Sequence, residues 1–235
     1  MTAIGDGSLL GARGRSLGPY DAVVLAGGSG RRLGGADKAL LDLGGEILLD
    51  RVLAAAAGAD TVICVGPVRA TAAAVTWCRE DPPGGGPVAA LAAAVPLLRA
   101  DVVVVLAVDL PFVDRSTVTR LVAAVTGLDG SDLDGSVGLD DAGRAQPLLA
   151  AYCVTALRAA LGRLGDPVGA RMRDLVAGLR LGQVAVGRAG TDCDTAADLA
   201  AARRALDPSA PEREEQASSQ SKNPVSKEHT VEHIG

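Results

Sequence analysis

VVLAGGSGRRLGGADKALLDLGG, residues 23–45, runs from apolar residues straight into a glycine loop that carries a single lysine. The apolar run, Asp21–Ala26, reads as a strand, and glycines at 27, 28, 30, 34 and 35 follow it at once. Glycines at such a point let backbone N–H groups turn toward an anion with no side chain in the way. Arg31, Arg32 and Lys38 come within one loop length. The stretch therefore reads as a strand that ends in a phosphate-handling loop, the arrangement found at the carboxyl edge of an α/β sheet. Two common loops of that kind are excluded. A Walker loop needs Gly-Lys-Ser/Thr, whereas Lys38 stands between Asp37 and Ala39. The dinucleotide fingerprint needs a third glycine where this chain has Leu33. Lys38 is also the only lysine before Lys222 and Lys227, in a chain that otherwise uses arginine. A lysine kept at one place suggests that its compact point charge is needed there.

Outward from this loop, short Val-rich runs alternate with Ala/Leu-rich helical patterns. Strands are expected at Asp21–Ala26, Thr61–Val65, Ala74–Cys78, Val102–Val108, Gln146–Tyr152 and Gln183–Val186. Helices are expected at about Ile47–Ala57, Val88–Leu98, Arg115–Val125, Val154–Leu164, Arg171–Leu179 and Thr195–Leu206. A run as continuous as VVVVLAV must be covered on both faces, as in a parallel sheet. The pattern predicts one Rossmann-like, three-layer α/β domain with a mostly parallel sheet over residues 19–206. Residues 1–18 read as a flexible leader, and 207–235 have the low-apolar, mixed-charge composition of a disordered tail. His229 and His233 in that tail lack a third ligand.

Two further segments carry chemistry. In VVVVLAVDLPFV, residues 102–113, Asp109 ends an apolar strand and Pro111 stops its continuation. A carboxylate there points at the ligand crevice and suits Mg²⁺ shared with triphosphate oxygens. In CREDPPGGGPVAALAAAV, residues 78–95, Asp81 follows a strand and could accept hydrogen bonds from a base or ribose. Gly86, at the end of the glycine run before a helix, lets substrate approach backbone donors. Arg144, Gln146 and Pro147 open a later strand, while Asp192 and Asp194 precede a helix for which Asp194 or Thr195 is the expected N-cap, a contribution to the acceptor or metal site being the other reading of Asp194.

Composition narrows the function classes. The chain has four aromatic residues, a net charge of −5 and no evident basic face, which argues against nucleic-acid binding. Four widely spaced cysteines without a C-x-x-C pair read as reduced thiols rather than a disulfide framework or zinc site. There is no signal-peptide pattern and no apolar run of membrane-spanning length, so a cytoplasmic location is expected.

Together these motifs resemble the molybdenum-cofactor nucleotidyltransferase family, within the nucleoside-triphosphate transferases of glycosyltransferase-A-like (nucleotide-diphospho-sugar transferase) fold. LAGGSGRRLGGADK matches the family pattern L-A-G-G-x-S/A-x-R-M-G-x-D-K, with Leu33 at the usual Met. Glu80-Asp81, Gly86-Pro87, Asp109 to Phe112, and Asp192 to Leu199 recur downstream in the family's order. The resemblance implies that Leu25, Ala26 and Gly27 meet the guanine and phosphates, with Gly28, Gly30, Arg31 and Gly86 beside them. It implies that Lys38 neutralises the triphosphate, that Asp81 contacts the nucleotide, and that Asp109 ligates Mg²⁺. Members that use GTP tend to read L-A-G-G and cytidylyl relatives L-A-A-G, so Gly28 favours GTP. The implied reaction joins GMP to molybdopterin with release of pyrophosphate, with Lys38 and Asp109 as the catalytic residues. Transient contact with other cofactor-biosynthesis proteins or with molybdoenzymes goes with such a role. The alternatives are a cytidylyltransferase for the same cofactor, another transferase of the superfamily, or a non-catalytic nucleotide- or cofactor-binding protein. Two departures stand out: Gly66 where guanylyltransferases commonly carry Asn, and Ala90 where Gly is common.

Overall fold

The computed structural model describes residues 17–28, 35–126 and 132–206. The expectations for the leader's first sixteen residues, for Gly30 and Arg31, and for the tail lie outside the described residues. Within them, seven strands form one sheet. Strand β1 (Asp21–Leu25) lies between β2 (Val62–Val65) and β4 (Val102–Ala107), parallel to both. A short edge strand, β3 (Thr76–Cys78), runs parallel to β2. Beyond β4 lie β6 (Ala145–Cys153), β5 (Gly135–Leu139) and β7 (Leu181–Ala185), giving the order β3-β2-β1-β4-β6-β5-β7. Only β6 runs against the rest, antiparallel to both β4 and β5, and β7 returns to the common direction beside β5.

Period-two alternation in the strands feeds two apolar layers. Ala22 and Val24 point toward helices α1 (Leu48–Ala55) and α3 (Arg115–Val125), where Leu49, Val52, Val118 and Leu121 are buried. Val23 and Leu25 point the other way, onto Val88 and Leu91 of α2 (Pro87–Ala94), Leu157 of α4 (Val154–Leu164) and Leu175 of α5 (Met172–Val176). Aliphatic side chains fill most of both layers, with one ring buried in each, Tyr20 in the first and Tyr152 in the second. Helix α6 (Ala196–Leu206) closes a smaller cluster in which Leu199 and Ala202 meet Leu43, Leu48 and Cys193.

Helix ends follow local chemistry. Asp114 caps α3, its Oδ1 accepting from Thr117 N–H at 2.8 Å. Pro87 occupies the first turn of α2, where its missing N–H is no loss. Pro96 then tightens the chain after Ala94 into a 3₁₀ turn, so this helix ends earlier than its pattern suggests. Strand β5 was not among the expected strands. Its sequence GSVGL is glycine-rich, but pairing on both sides makes it a strand. A Cβ at Gly135 would lie 2.6 Å from Ala151 O, so the glycine is required by close packing rather than by a turn.

Candidate functional site

The chain leaves β1 toward β2 on one side and later returns as β4 on the other. Loops at the carboxyl ends of β1 and β4 therefore diverge and open a crevice, as at the switch point of doubly wound sheets. It is a cleft of about 780 Å³. It is lined by Leu25, Gly27 and Gly28 after β1, by Ala107 to Asp109 after β4, and by Gly66, Pro67, Arg79 and Glu80 from the segments after β2 and β3. Gly86 and Pro87, at the start of α2, close the end.

Lys38 enters from a 3₁₀ turn, Lys38–Leu40, and its ammonium sits between two carboxylates. Nζ donates to Asp109 Oδ2 at 3.1 Å and also to Asp194 Oδ1. The lysine side chain is only 16% exposed, against 23% for Asp109 and 36% for Asp194. Burial works against the charged lysine. The hydrogen bond it donates to Asp194 and the charge of Asp109 outweigh it, and its pKa lies above the ordinary 10.5. Burial likewise pushes the Asp109 carboxyl above its usual 3.8, against the pull of Lys38 and with the help of Asp194 and Asp192. At neutral pH the site thus holds a fully charged lysine beside an acidic cluster.

Of the residues singled out from sequence, Leu25, Gly27, Gly28, Lys38, Gly86 and Asp109 line one cleft. Ala26 does not line it. It is buried behind the loop, its N–H donating to Val65 O at 2.9 Å. Asp81 is exposed and outside the lining. Its neighbours Arg79 and Glu80 face the cleft instead, and Glu80 Oε1 accepts from Gly84 N–H at 2.9 Å. Of the two expected caps, Asp194 and Thr195, the structure uses Thr195. The α6 turn is closed by Thr195 and Asp198, with Asp198 N–H donating to Thr195 Oγ1 at 3.2 Å and Thr195 N–H to Asp198 Oδ2 at 2.8 Å. That reciprocal pair releases the Asp194 side chain for Lys38. The segment is tied to the β4 loop where Cys193 N–H donates to Asp109 O at 2.9 Å.

Gly66, marked in the sequence as standing where the family commonly has an asparagine that contacts nucleotide or acceptor, lines the cleft, and so does Pro67, which the sequence did not single out. Gly66 has φ +146°, and a Cβ there would lie 2.9 Å from Gly27 N and 3.0 Å from Ala26 C. Backbone packs on backbone at this point, which no residue but glycine permits. The departure from asparagine noted above is therefore built into the geometry of the loop it touches.

Among the described residues no group of three or more His, Cys, Asp or Glu side chains could hold a metal ion. Asp109 and Asp194, however, are hard oxygen donors already gathered about one cation, the lysine ammonium. Mg²⁺ in such sites takes one or two carboxylates and completes its shell with water and phosphate, so the donor pair fits that ion.

A family model described as the MobA-like NTP transferase domain matches residues 22–184. The chain belongs to this family. Among the MobA-like relatives, a probable molybdenum cofactor guanylyltransferase of Synechococcus elongatus is 45% identical over 100 residues, covering 39% of this chain and 51% of the relative. A molybdenum cofactor guanylyltransferase of Acidiphilium cryptum is 40% identical over 116 residues, covering 44% and 57%. The chain thus spans about half the length of the curated relatives it matches. In fold it is similar to the molybdopterin-guanine dinucleotide biosynthesis protein A of Archaeoglobus fulgidus, with TM-score 0.61, 22% identity, and coverage of 79% and 97%. It is equally similar to the 2-C-methyl-D-erythritol 4-phosphate cytidylyltransferase of Thermus thermophilus, with TM-score 0.61, 20% identity, and coverage of 80% and 98%. The expected α/β, mostly parallel fold of nucleotide-diphospho-sugar transferase type is the one observed. No helix among the described residues is long and apolar enough to cross a membrane.

Proposed function

We propose that this chain is a cytoplasmic nucleotidyltransferase that moves GMP from GTP to molybdopterin with release of pyrophosphate. The observation that carries the reading is Lys38 held between Asp109 and Asp194 in a glycine-lined cleft. The base assignment rests on Gly28, the residue that by resemblance separates guanylyl from cytidylyl members, together with the curated guanylyltransferase relatives.

In the reaction an acceptor phosphate oxygen attacks the α-phosphorus of GTP. The α–β anhydride bond breaks, and pyrophosphate leaves with its electron pair. Both partners are anionic, so repulsion is the obstacle, and catalysis is mainly charge compensation and alignment. Asp109, with Asp194 beside it, would hold Mg²⁺, which when bound supplies positive charge to the phosphate oxygens. Lys38, charged at neutral pH, adds a positive charge of its own beside those carboxylates. Gly27 and Gly28 line the cleft, and without side chains of their own they let phosphate oxygens come close to the backbone. No proton need be taken from an acceptor phosphate that is already ionised, which fits a lining without histidine among the described residues.

The test is pyrophosphate release by the full chain with Mg²⁺, molybdopterin and either GTP or CTP. Faster release with GTP is expected. A preference for CTP would move the chain to the cytidylyl class. GTP binding with no release in any combination would make it a silent binder.

A further inference from the structure

The residue next to Lys38 is gripped from outside the cleft. Beyond Gly66 and Pro67, the loop between β2 and β3 turns Arg69 back toward the 3₁₀ turn. Its guanidinium makes a two-pronged pair with Asp37, Nε to Oδ2 at 2.7 Å and Nη2 to Oδ1 at 2.9 Å. The third nitrogen, Nη1, donates to Pro67 O at 2.9 Å. The Arg69 side chain is 7% exposed. Asp37 in turn caps the Lys38–Leu40 turn, its Oδ1 accepting from Ala39 N–H at 3.1 Å. One planar fork therefore holds both the cleft wall, through the Pro67 carbonyl, and the carboxylate that sets the start of the lysine turn.

We propose that Arg69 is a positioning residue for Lys38, acting through Asp37. Lysine has a long and flexible stem, and its ammonium can be held between Asp109 and Asp194 only if its backbone is fixed. The far end of the side chain is fixed by those carboxylates, and the near end by Asp37 and Arg69. Arg69 does not line the cleft, so its loss removes no contact to a nucleotide there. The geometry is unlike an ordinary surface pair, which contributes little because two mobile chains must be ordered for one exposed contact. Here the guanidinium is buried, bidentate and anchored to a carbonyl as well.

The kinetic half of this inference rests on the transferase reading, whereas its spectroscopic half does not. Lys38, Lys222 and Lys227 are the only lysines, so ¹⁵N-lysine labelling of the full chain gives an ammonium signal for Lys38 that Lys38→Arg identifies. In Arg69→Gln, that signal is expected to move toward the positions of the tail lysines. Turnover with GTP, Mg²⁺ and molybdopterin should fall on the order of 10²-fold, with KM for GTP little changed, as a small misplacement of a catalytic group can cause. Arg69→Lys should recover only part of the loss, because a point charge cannot span both carboxylate oxygens and the Pro67 carbonyl. Asp37→Asn should lower turnover similarly, and combining it with Arg69→Gln should add little, since the two act as one unit. An unmoved Lys38 signal in Arg69→Gln, or fully additive losses in the double variant, would overturn the proposal. If the glutamine variant melts, Arg69→Lys carries the test, and wild-type turnover with an unmoved Lys38 signal overturns it. If the unaltered chain shows no turnover, the transferase reading fails, and the Lys38 signal alone decides for or against Arg69.

Discussion

Asp21 and Asp109 stand at opposite ends of two paired strands, and their charges are met by different kinds of group. Asp21 opens β1 at the amino edge of the sheet and is wholly buried. Its Oδ2 accepts from two backbone amides, Arg99 N–H at 2.6 Å and Ala100 N–H at 2.9 Å. Those donors are fixed by the chain and can go nowhere. Asp109 follows β4 at the carboxyl edge, remains partly open to the cleft, and is met by the end of a flexible side chain. A donor that can swing away leaves the carboxylate able to change partners. The first aspartate fastens a turn, whereas the second is held ready for exchange.

Substitutions can break this contrast. The largest effect is expected from Asp109→Ala. Pyrophosphate release should fall by at least about 10²–10³-fold, the scale seen when one preorganised electrostatic group is removed, while the melting temperature should not drop. A large fall in melting temperature would place Asp109 with Asp21 as a structural residue. Next comes Asp21→Ala, which leaves two backbone donors without an acceptor. It should lower stability by about 1–3 kcal/mol in denaturant unfolding while the folded fraction turns over normally. An Asp21 variant that folds stably but is inactive would erase the distinction.

The smallest effect concerns pH. A carboxyl whose pKa is raised in the folded chain takes up a proton there more readily than in the unfolded chain. Its contribution to stability is fully present below the ordinary 3.8 and is lost as the pH rises through the raised value. At neutral pH the ionised Asp109 is therefore a burden on the metal-free protein. Asp109→Asn should raise the melting temperature slightly at pH 7, and the gain should vanish as the pH is lowered through that range. A gain of equal size at all pH values would show that the carboxyl's charge is not its source.

The carboxyl edge was more legible in the sequence than the far half of the sheet. Helices α3 and α4 have the expected bounds, and β1, β2 and β4 differ by a residue at an end, because continuous apolar runs and clean caps leave few alternatives. Leu25, Gly27, Gly28, Lys38, Gly86 and Asp109 converge because each lies at a strand end or a helix start. Gly135 and Gly138 concealed β5. Their lack of side chains looks like a loop in sequence and is a packing requirement in three dimensions. The reversal of β6 was hidden with it, although the Asp140–Arg144 turn carries signals that could have shown a hairpin. Gly143 has φ +73°, and Asp140 Oδ1 accepts from Ala142 and Arg144 N–H. From sequence Asp194 is either a cap or part of the acceptor or metal site, because it precedes a helix that Thr195 can cap as well. The structure gives the cap to Thr195 with Asp198, and Lys38, 156 residues away, donates to Asp194.

The close approach of Gly66 to Ala26 and Gly27 also bears on how such a chain can evolve. With the two loops packed backbone to backbone, asparagine at position 66 is not a single-step change. The glycine loop would have to withdraw first, and that change alone would disturb the lining of the cleft. Position 66 is thus entrenched by its neighbours, and residues exchanged here between this chain and its guanylyltransferase relatives should be tolerated only when both loops are exchanged together.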